Sequence, residues 1–489
     1  MANQTPPQDR VPLFQKIVYG LGAFTNNLLS GALGSMAIVL NLGLGMDPGV
    51  IGTIMAVSHL TDAFLDPVTG YISDHTQSRW GRRRPYIVVG ALMSALTFAL
   101  LWQIHAGHSQ RFYFWFFLCG TSLFYAAFSF YGTPFVALGY ELTPDYNERI
   151  RVQGTSNLIG QIPWLLLSWS YAFMEDKRLF ATNVEGARAL AILVGIVVAV
   201  IGVLPGIFCR EPYYGIAATA QAAQSKIHNS AGGLWRGLRR HGLEFLRGFG
   251  MTLRNRRFLQ LAAATFLVFN GFTIISGLGP YVIIFYVFGG DQVAGARYIG
   301  WFGTALSACT FAAIAGATWL ATKIGKKPAF FLTTSIAMTG YALKWFCYRP
   351  GSPLWLFVPA PFIAFGLGGL FTTISAMIAD VCDQDELEVG VRREGTFGAI
   401  YWWMVKLGTA VALAISGHLL NLTGFLQQLG AHQSGRSLLL MRVFEIGVPV
   451  LAYSLAIAAM GTYDLDQEKV QEIRLQLERR RGGLIHRRR

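Results

Sequence analysis

Apolar runs of twenty or more residues recur along almost the whole chain, and they leave few folds open. The hydrocarbon core of a bilayer is about 30 Å thick, which a helix of roughly 20 residues spans. Within it each backbone amide must find its partner inside the segment. Continuous runs therefore predict helices, whereas a barrel would show alternating segments of about ten residues. Of the 489 residues, 53% are hydrophobic and only 13% charged, about half the charged share of soluble domains. The chain is expected to be an all-α polytopic membrane protein.

The runs predict helices over residues 14–42, 48–73, 86–104, 111–140, 152–174 and 188–209, and again over 258–288, 296–321, 328–347, 353–379, 396–424 and 437–462. Residues 1–209 and 258–462 thus form two expected six-helix bundles, twelve transmembrane helices in all, a layout common among carriers built from repeated halves. The polar, basic stretch 210–257 is the expected middle loop. Within it Trp235, Leu238, Leu243, Leu246 and Phe249 interleave with Arg236, Arg239, Arg240 and Arg247, the pattern of an amphipathic helix on an anionic membrane surface. Residues 463–489 read as a solvated, charged tail ending in a basic cluster. The first ten residues are polar and the apolar run after them is too long for a signal peptide.

The formal net charge is +14, but its distribution argues for a membrane and against nucleic acid. About 30 of the 40 Lys and Arg residues fall in the even-numbered loops, the middle loop and the termini. Both termini are expected on the cytoplasmic side of the cell (inner) membrane. The five cysteines show neither metal-ligand nor disulfide spacing. No nucleophile elbow or phosphate loop occurs, so an enzyme is not expected. Two loops hint at an internal repeat: Gly70 and Asp74 lead into Arg79-Trp80-Gly81-Arg82-Arg83-Arg84, and Gly325 leads into Lys326 and Lys327.

Ionisable residues inside a membrane helix are costly, so each is a functional candidate. The second helix carries His59, Asp62 and Asp66, spaced three and four apart and hence on one face. Two carboxylates one turn apart repel each other unless a cation binds or one takes up a proton. Either event suits a cation-coupled carrier, and a structural polar cluster is the alternative. Lys406, within the eleventh apolar run, needs a cavity or a carboxylate, and Asp62 or Asp66 is its expected partner. Tyr401 and Trp402 precede it. Aromatic faces beside a charge suit a sugar, though most aromatics here must simply pack. Asn27, with its neighbour Asn26, and Ser129, Tyr131, Gln161 and Trp164 are further cavity candidates, with structural hydrogen bonding as the competing role. Gly132-Thr133-Pro134 predicts a kink.

Near the basic face, Asp74, Arg79, Arg82, Arg83, Arg84, Glu141, Arg149, Asp380, Arg392 and Arg393 form a candidate charge network for gating. The acidic stretch Asp380–Glu388 lacks the calcium-loop spacing and its turn glycine. His418 and Glu445 carry no assigned role.

Several stretches together resemble the glycoside–pentoside–hexuronide:cation symporter family, the melibiose-permease-like branch of the major facilitator superfamily. They are Tyr19-Gly20-Leu21-Gly22-Ala23-Phe24, Asp62 through Asp66-Pro67 to Arg84-Pro85, Thr133-Pro134-Phe135 with Glu141-Leu142-Thr143, and Ala379-Asp380 through Arg392-Arg393-Glu394-Gly395 to Lys406. The resemblance covers nearly the whole chain. It implies the fold of that superfamily, alternating access, and sugar uptake driven by Na⁺, H⁺ or Li⁺.

Carried over position by position, Asp62, Asp66 and Ser129 look like the cation site, and Lys406 like the link between cation and sugar. The chain also departs from melibiose-type members. Leu65 stands where they have an asparagine, which removes an amide oxygen from a Na⁺ site and favours H⁺. Asn27 and Gly132 stand where they hold the galactoside with carboxylates, and Val136 replaces a tryptophan.

The expected function is therefore cation-coupled symport of a sugar, glycoside or uronide. No cofactor is expected beyond the coupling H⁺ or Na⁺, and no metal beyond a Na⁺ at Asp62 and Asp66. The expected partners are the small polar solute, the cation and the bilayer, with the protein a monomer. Transport of a lysolipid or other amphipathic solute is the second reading, and a non-transporting sensor or scaffold the remote one.

Overall fold

The computed structural model describes residues 10–76, 78–143, 145–211, 250, 252, 254–389 and 394–486. The amphipathic stretch predicted in the middle loop lies outside the described residues, as do Arg392 and Arg393. The chain divides into two compact units, Met1–Leu243 and Glu244–Arg489.

In the first unit the helices are α1 (Leu13–Met36), α2 (Ile38–Leu42), α3 (Pro48–His75), α4 (Arg84–Leu101), α5 (Gln110–Glu141), α6 (Tyr146–Gly160), α7 (Ile162–Leu167), α8 (Ser170–Met174), α9 (Asn183–Ile201) and α10 (Leu204–Phe208). The second unit contains α11 (Arg256–Tyr281), which runs on into a π-helical turn (Val282–Val287), then α12 (Gln292–Ile324) and α13 (Lys326–Cys347). After a 3₁₀ turn (Pro353–Phe357) come α14 (Pro359–Val389), α15 (Glu394–Leu422), α16 (Gly435–Gly461) and α17 (Gln467–His486).

Short polar side chains set many of the starts. Asp47, Ser109, Asp145, Thr182, Asn255, Asp291 and Ser434 each accept a hydrogen bond from the amide three residues on, satisfying a donor the helix cannot satisfy itself.

Among the described residues, ten segments are long and apolar enough to cross a membrane. Two of the twelve predicted helices depart from that standard. The span predicted over 152–174 is broken into α6, α7 and α8: Pro163, at the start of α7, has no N–H to give, and the polar run 146–157 leaves α6 weakly apolar. The span predicted over 328–347 is one helix, α13, but it carries Lys326, Lys327, Lys344 and four Thr or Ser residues.

The two units share one packing scheme. In the first, α5 lies against both α3 and α4, α4 against α9, and α1 against α6 and α7. In the second, α14 lies against both α12 and α13, α13 against α16, and α11 against α15. Counted along the predicted spans, helices 2, 3 and 4 of one unit correspond to 8, 9 and 10 of the other. The repeat hinted at by the two loops is thus a repeat of helix contacts. Glycine permits the closest approach: a Cβ on Gly90 of α4 would stand 2.5 Å from the Tyr131 amide nitrogen of α5.

The tail helix is largely exposed, and it also docks. α17 packs against α14, with Leu477 4% and Leu465 6% exposed. At its root Arg257 makes two hydrogen bonds to Asp464, of 2.6 and 2.7 Å, and Lys327 donates to the carbonyls of Gly461 and Tyr463. Leu477 of α17 and Leu465 just before it find a partner surface that the sequence pattern does not reveal.

Candidate functional site

His59, Asp62 and Asp66 of α3 share one face, as their spacing requires, and that face meets α5. Asp62 is buried, at 4% exposure. Asp66 is half-buried, and its Oδ1 accepts from two hydroxyls of α5, Ser129 Oγ at 2.8 Å and Thr133 Oγ1 at 2.9 Å. Ser129 Oγ also lies 3.2 Å from Thr69 Oγ1, one turn beyond Asp66. His59 Nε2 lies 3.2 Å from the Tyr125 hydroxyl, with the two rings 4.7 Å apart. His59 Nδ1 faces the Met55 carbonyl at 3.2 Å. A carbonyl only accepts, so Nδ1 carries the proton and Nε2 accepts from Tyr125 when the ring is neutral.

The site is therefore a strip of carboxylates, hydroxyls and an imidazole between two membrane helices. Such a strip can hold a small cation or move a proton. Ser129 was legible through the resemblance. Thr69 and Tyr125 join the strip unannounced, and Thr133, quoted above only for the kink and the resemblance, joins it four residues beyond Ser129.

The solute candidates of this unit separate. Asn27 donates its amide to the Gly160 carbonyl at 2.6 Å, tying α1 to the end of α6. Asn26 lies over Gly132, where a Cβ would come 3.1 Å from its Oδ1. Tyr131 is fully buried and donates to the Gly22 carbonyl at 3.0 Å, so its hydroxyl joins helices. Gln161 is exposed at the break between α6 and α7, and Trp164 is exposed beside it, its ring 2.9 Å from where a Cβ on Gly31 would stand.

In the second unit, Lys406 is half-buried on α15. Tyr401 is buried, with its hydroxyl 3.2 Å from Thr265 Oγ1. Trp402 is 54% exposed and lies near-parallel to Phe371, at 6.3 Å. Of the two aromatic candidates there, only Trp402 offers a face.

Among the described residues the charge network resolves into one cluster per unit. In the first, Arg83 bridges Asp74 and Glu141, each at 3.0 Å, and Arg82 also pairs with Glu141. Burial draws the Arg83 guanidinium below its usual pKa, while the charge of Asp74 opposes that. Arg84 donates to the carbonyls of Gly206 and Ile207 at 2.7 and 2.5 Å, whereas Arg149 bonds locally to the Thr143 carbonyl. Arg79 stands exposed on the turn.

Sequence reasoning missed Glu211, whose carboxylate accepts from the backbone amides of Arg82, Arg83 and Arg84 at 3.0–3.1 Å. Gly81 makes room for it, with φ +106° and no Cβ. In the second unit Lys326 reaches Asp380 at 2.5 Å. Its place between the second and third helices of the unit matches that of Arg82 and Arg83.

Two units with one packing scheme, a carboxylate strip on the second helix and a basic loop after it define a multi-pass secondary carrier of the major facilitator type. The chain belongs to the MFS/sugar transport protein family, whose profile matches residues 18–467. Among curated relatives, it is 22% identical to the isoprimeverose transporter of Lactiplantibacillus pentosus, covering 94% of this chain and 90% of that one. It is 23% identical to the glucuronide carrier protein homolog of Escherichia coli strain K12, covering 95% of each. Among solved structures, a bacterial homolog of the human lysosomal transporter Spinster, inward-facing and unoccupied, superposes with a TM-score of 0.66 at 13% identity. That match covers 94% of this chain and 98% of the other, and it speaks for the fold alone.

Proposed function

We propose that the protein is a secondary active symporter that couples a sugar, glycoside or uronide to a cation by alternating access. The observation that carries this reading is the strip on α3 and α5. Asp62 is buried one turn from Asp66, and Asp66 takes two hydroxyl donors on a single oxygen. Membrane helices do not keep such groups without use or partner. The family and the relatives named above support the solute class.

The coupled cation in this reading is H⁺ rather than Na⁺. Leu65 offers no oxygen, and hard cations want several. Lys406 is assigned to the solute and cation sites from the sequence resemblance, and Trp402 to the solute through its exposed ring. The charge clusters at Glu141 and Asp380 are read as gates that break and remake as the transporter cycles. The protein is placed in the cell (inner) membrane as a monomer, with both termini cytoplasmic and no enzymatic activity.

Proteoliposomes test the reading. Labelled isoprimeverose, a β-glucuronide, lactose and a lysolipid are offered with and without a proton or sodium gradient. Gradient-driven accumulation of a sugar probe, lost in Asp62→Asn and Asp66→Asn, is the expected result. Gradient-independent uptake, or coupling unchanged in both variants, would sink it, and accumulation of the lysolipid alone would move the assignment to amphipathic cargo.

A further inference from the structure

We propose that Thr133 is a positioning residue of the coupling site, its hydroxyl aiming the Asp66 carboxylate at the coupling cation. The proposal rests on the symporter reading above and adds a residue that neither the motif nor its spacing assigns.

The geometry uses both branches of the side chain. Thr133 Oγ1 donates to Asp66 Oδ1 at 2.9 Å. Its methyl carbon lies 3.4 Å from where a Cβ on Gly70 would stand. Asp66 and Gly70 are four residues apart and so lie one above the other on α3. One face of α3 therefore presents an acceptor and, one turn on, a glycine without a Cβ, and the two branches of Thr133 face them. A β-branched side chain has few χ1 choices, so the direction of the hydroxyl is tied to that of the methyl facing Gly70.

Hydroxyls in membrane helices usually bond back to a carbonyl of their own helix. Thr25, Ser58, Thr97 and Thr121 of this unit do so. Thr133 instead reaches across to a carboxylate. Ser129, one turn earlier on α5, meets the same oxygen at 2.8 Å. Two donors converging on Oδ1 set the plane of the carboxylate.

The test needs no transported solute. The melting temperature of the purified protein in detergent is followed against pH and against NaCl, for the wild type, Thr133→Val and Thr133→Ser. Valine keeps the methyl and the branch while losing the hydroxyl, and serine does the reverse. The wild type is expected to respond to its coupling cation.

Thr133→Val is expected to shift that response about tenfold in cation concentration, the size of one hydrogen bond to a charged group. For a proton the shift is read as a displaced midpoint of the melting temperature against pH. For sodium it runs toward higher concentration, because the carboxylate loses its aim. Thr133→Ser is expected to stay within about twofold of the wild type.

An unshifted Thr133→Val, a sodium shift in the opposite sense, equal shifts in both variants, or a wild type blind to every cation would overturn the proposal. An intact cation response with no probe solute carried would sink the symporter reading and leave the assignment of Thr133 standing.

Discussion

Lys344 of α13 and Glu445 of α16 meet at 2.8 Å inside the second unit, with side chains 6% and 1% exposed. The ammonium lies between 5.1 and 5.9 Å from the ring centres of Phe302, Tyr341 and Tyr348, and Glu445 Oε1 is 3.5 Å from where a Cβ on Gly279 would stand. Four helices of the unit thus converge on one ion pair. Neither partner stood out in the sequence: Lys344 sits near a helix end, and Glu445 had no visible complement.

Breaking this pair should cost far more than replacing it. Lys344→Met or Glu445→Gln alone leaves a desolvated partner, an expected loss of about 3–5 kcal/mol, whereas an apolar pair of similar volume is often near neutral. Thermal melting in detergent of Lys344→Met, Glu445→Gln, Glu445→Leu and the double variant Lys344→Met with Glu445→Leu checks this. A double variant as unstable as the sum of the singles would contradict it.

The Glu211 cap makes a second prediction. Glu211→Ala deprives three backbone amides at the start of α4 of their common acceptor, an expected loss of about 1–3 kcal/mol. Gly81→Ala should do comparable harm by another route, since its Cβ would stand 2.7 Å from the Glu211 carboxylate in a left-handed backbone. Melting curves, together with protease sensitivity of the turn at Arg79, read both effects.

The tail clasp has a defined pH window. Hydrogen bonds from Arg257, above all, hold Asp464 at a pKa of about 2, below the ordinary value of about 3.9. A depressed carboxylate stabilises fully above its ordinary pKa and loses that contribution as pH falls toward its folded value. Docking of α17 should therefore be indifferent to pH from neutrality down to about 4 and loosen only below that. Asp464→Asn should loosen it at neutral pH, read as faster tryptic cleavage at Lys469.

Close helix approach gives a fourth prediction. Gly90→Ala places a Cβ 2.5 Å from the backbone nitrogen of Tyr131, where no flexible side chain can yield. Separating α4 from α5 is expected to cost about 1–3 kcal/mol, visible as a lower melting temperature. Because α5 also carries Ser129 and Thr133, the cation response should weaken with it.

Much of this architecture was legible in the chain itself. Length and apolarity determined the membrane class, since no other fold shelters so many uninterrupted apolar runs. The spacing of His59, Asp62 and Asp66 placed them on one face, because a helix repeats every 3.6 residues wherever it lies. Charge in an apolar helix is conspicuous, so Asp62, Asp66 and Lys406 announced themselves.

Only the tertiary structure decided which hydroxyls face Asp66, that Tyr131 and Tyr401 turn their hydroxyls to helix contacts, and that Lys344 pairs with Glu445 across 101 residues. It likewise decided that Glu211 caps α4, 127 residues before it, and that the tail docks. Serine, threonine and tyrosine abound in membrane helices and look alike in sequence whether they bond to their own helix or to a neighbour. The difference lies in how helices cross, and periodicity along one chain segment carries no information about that.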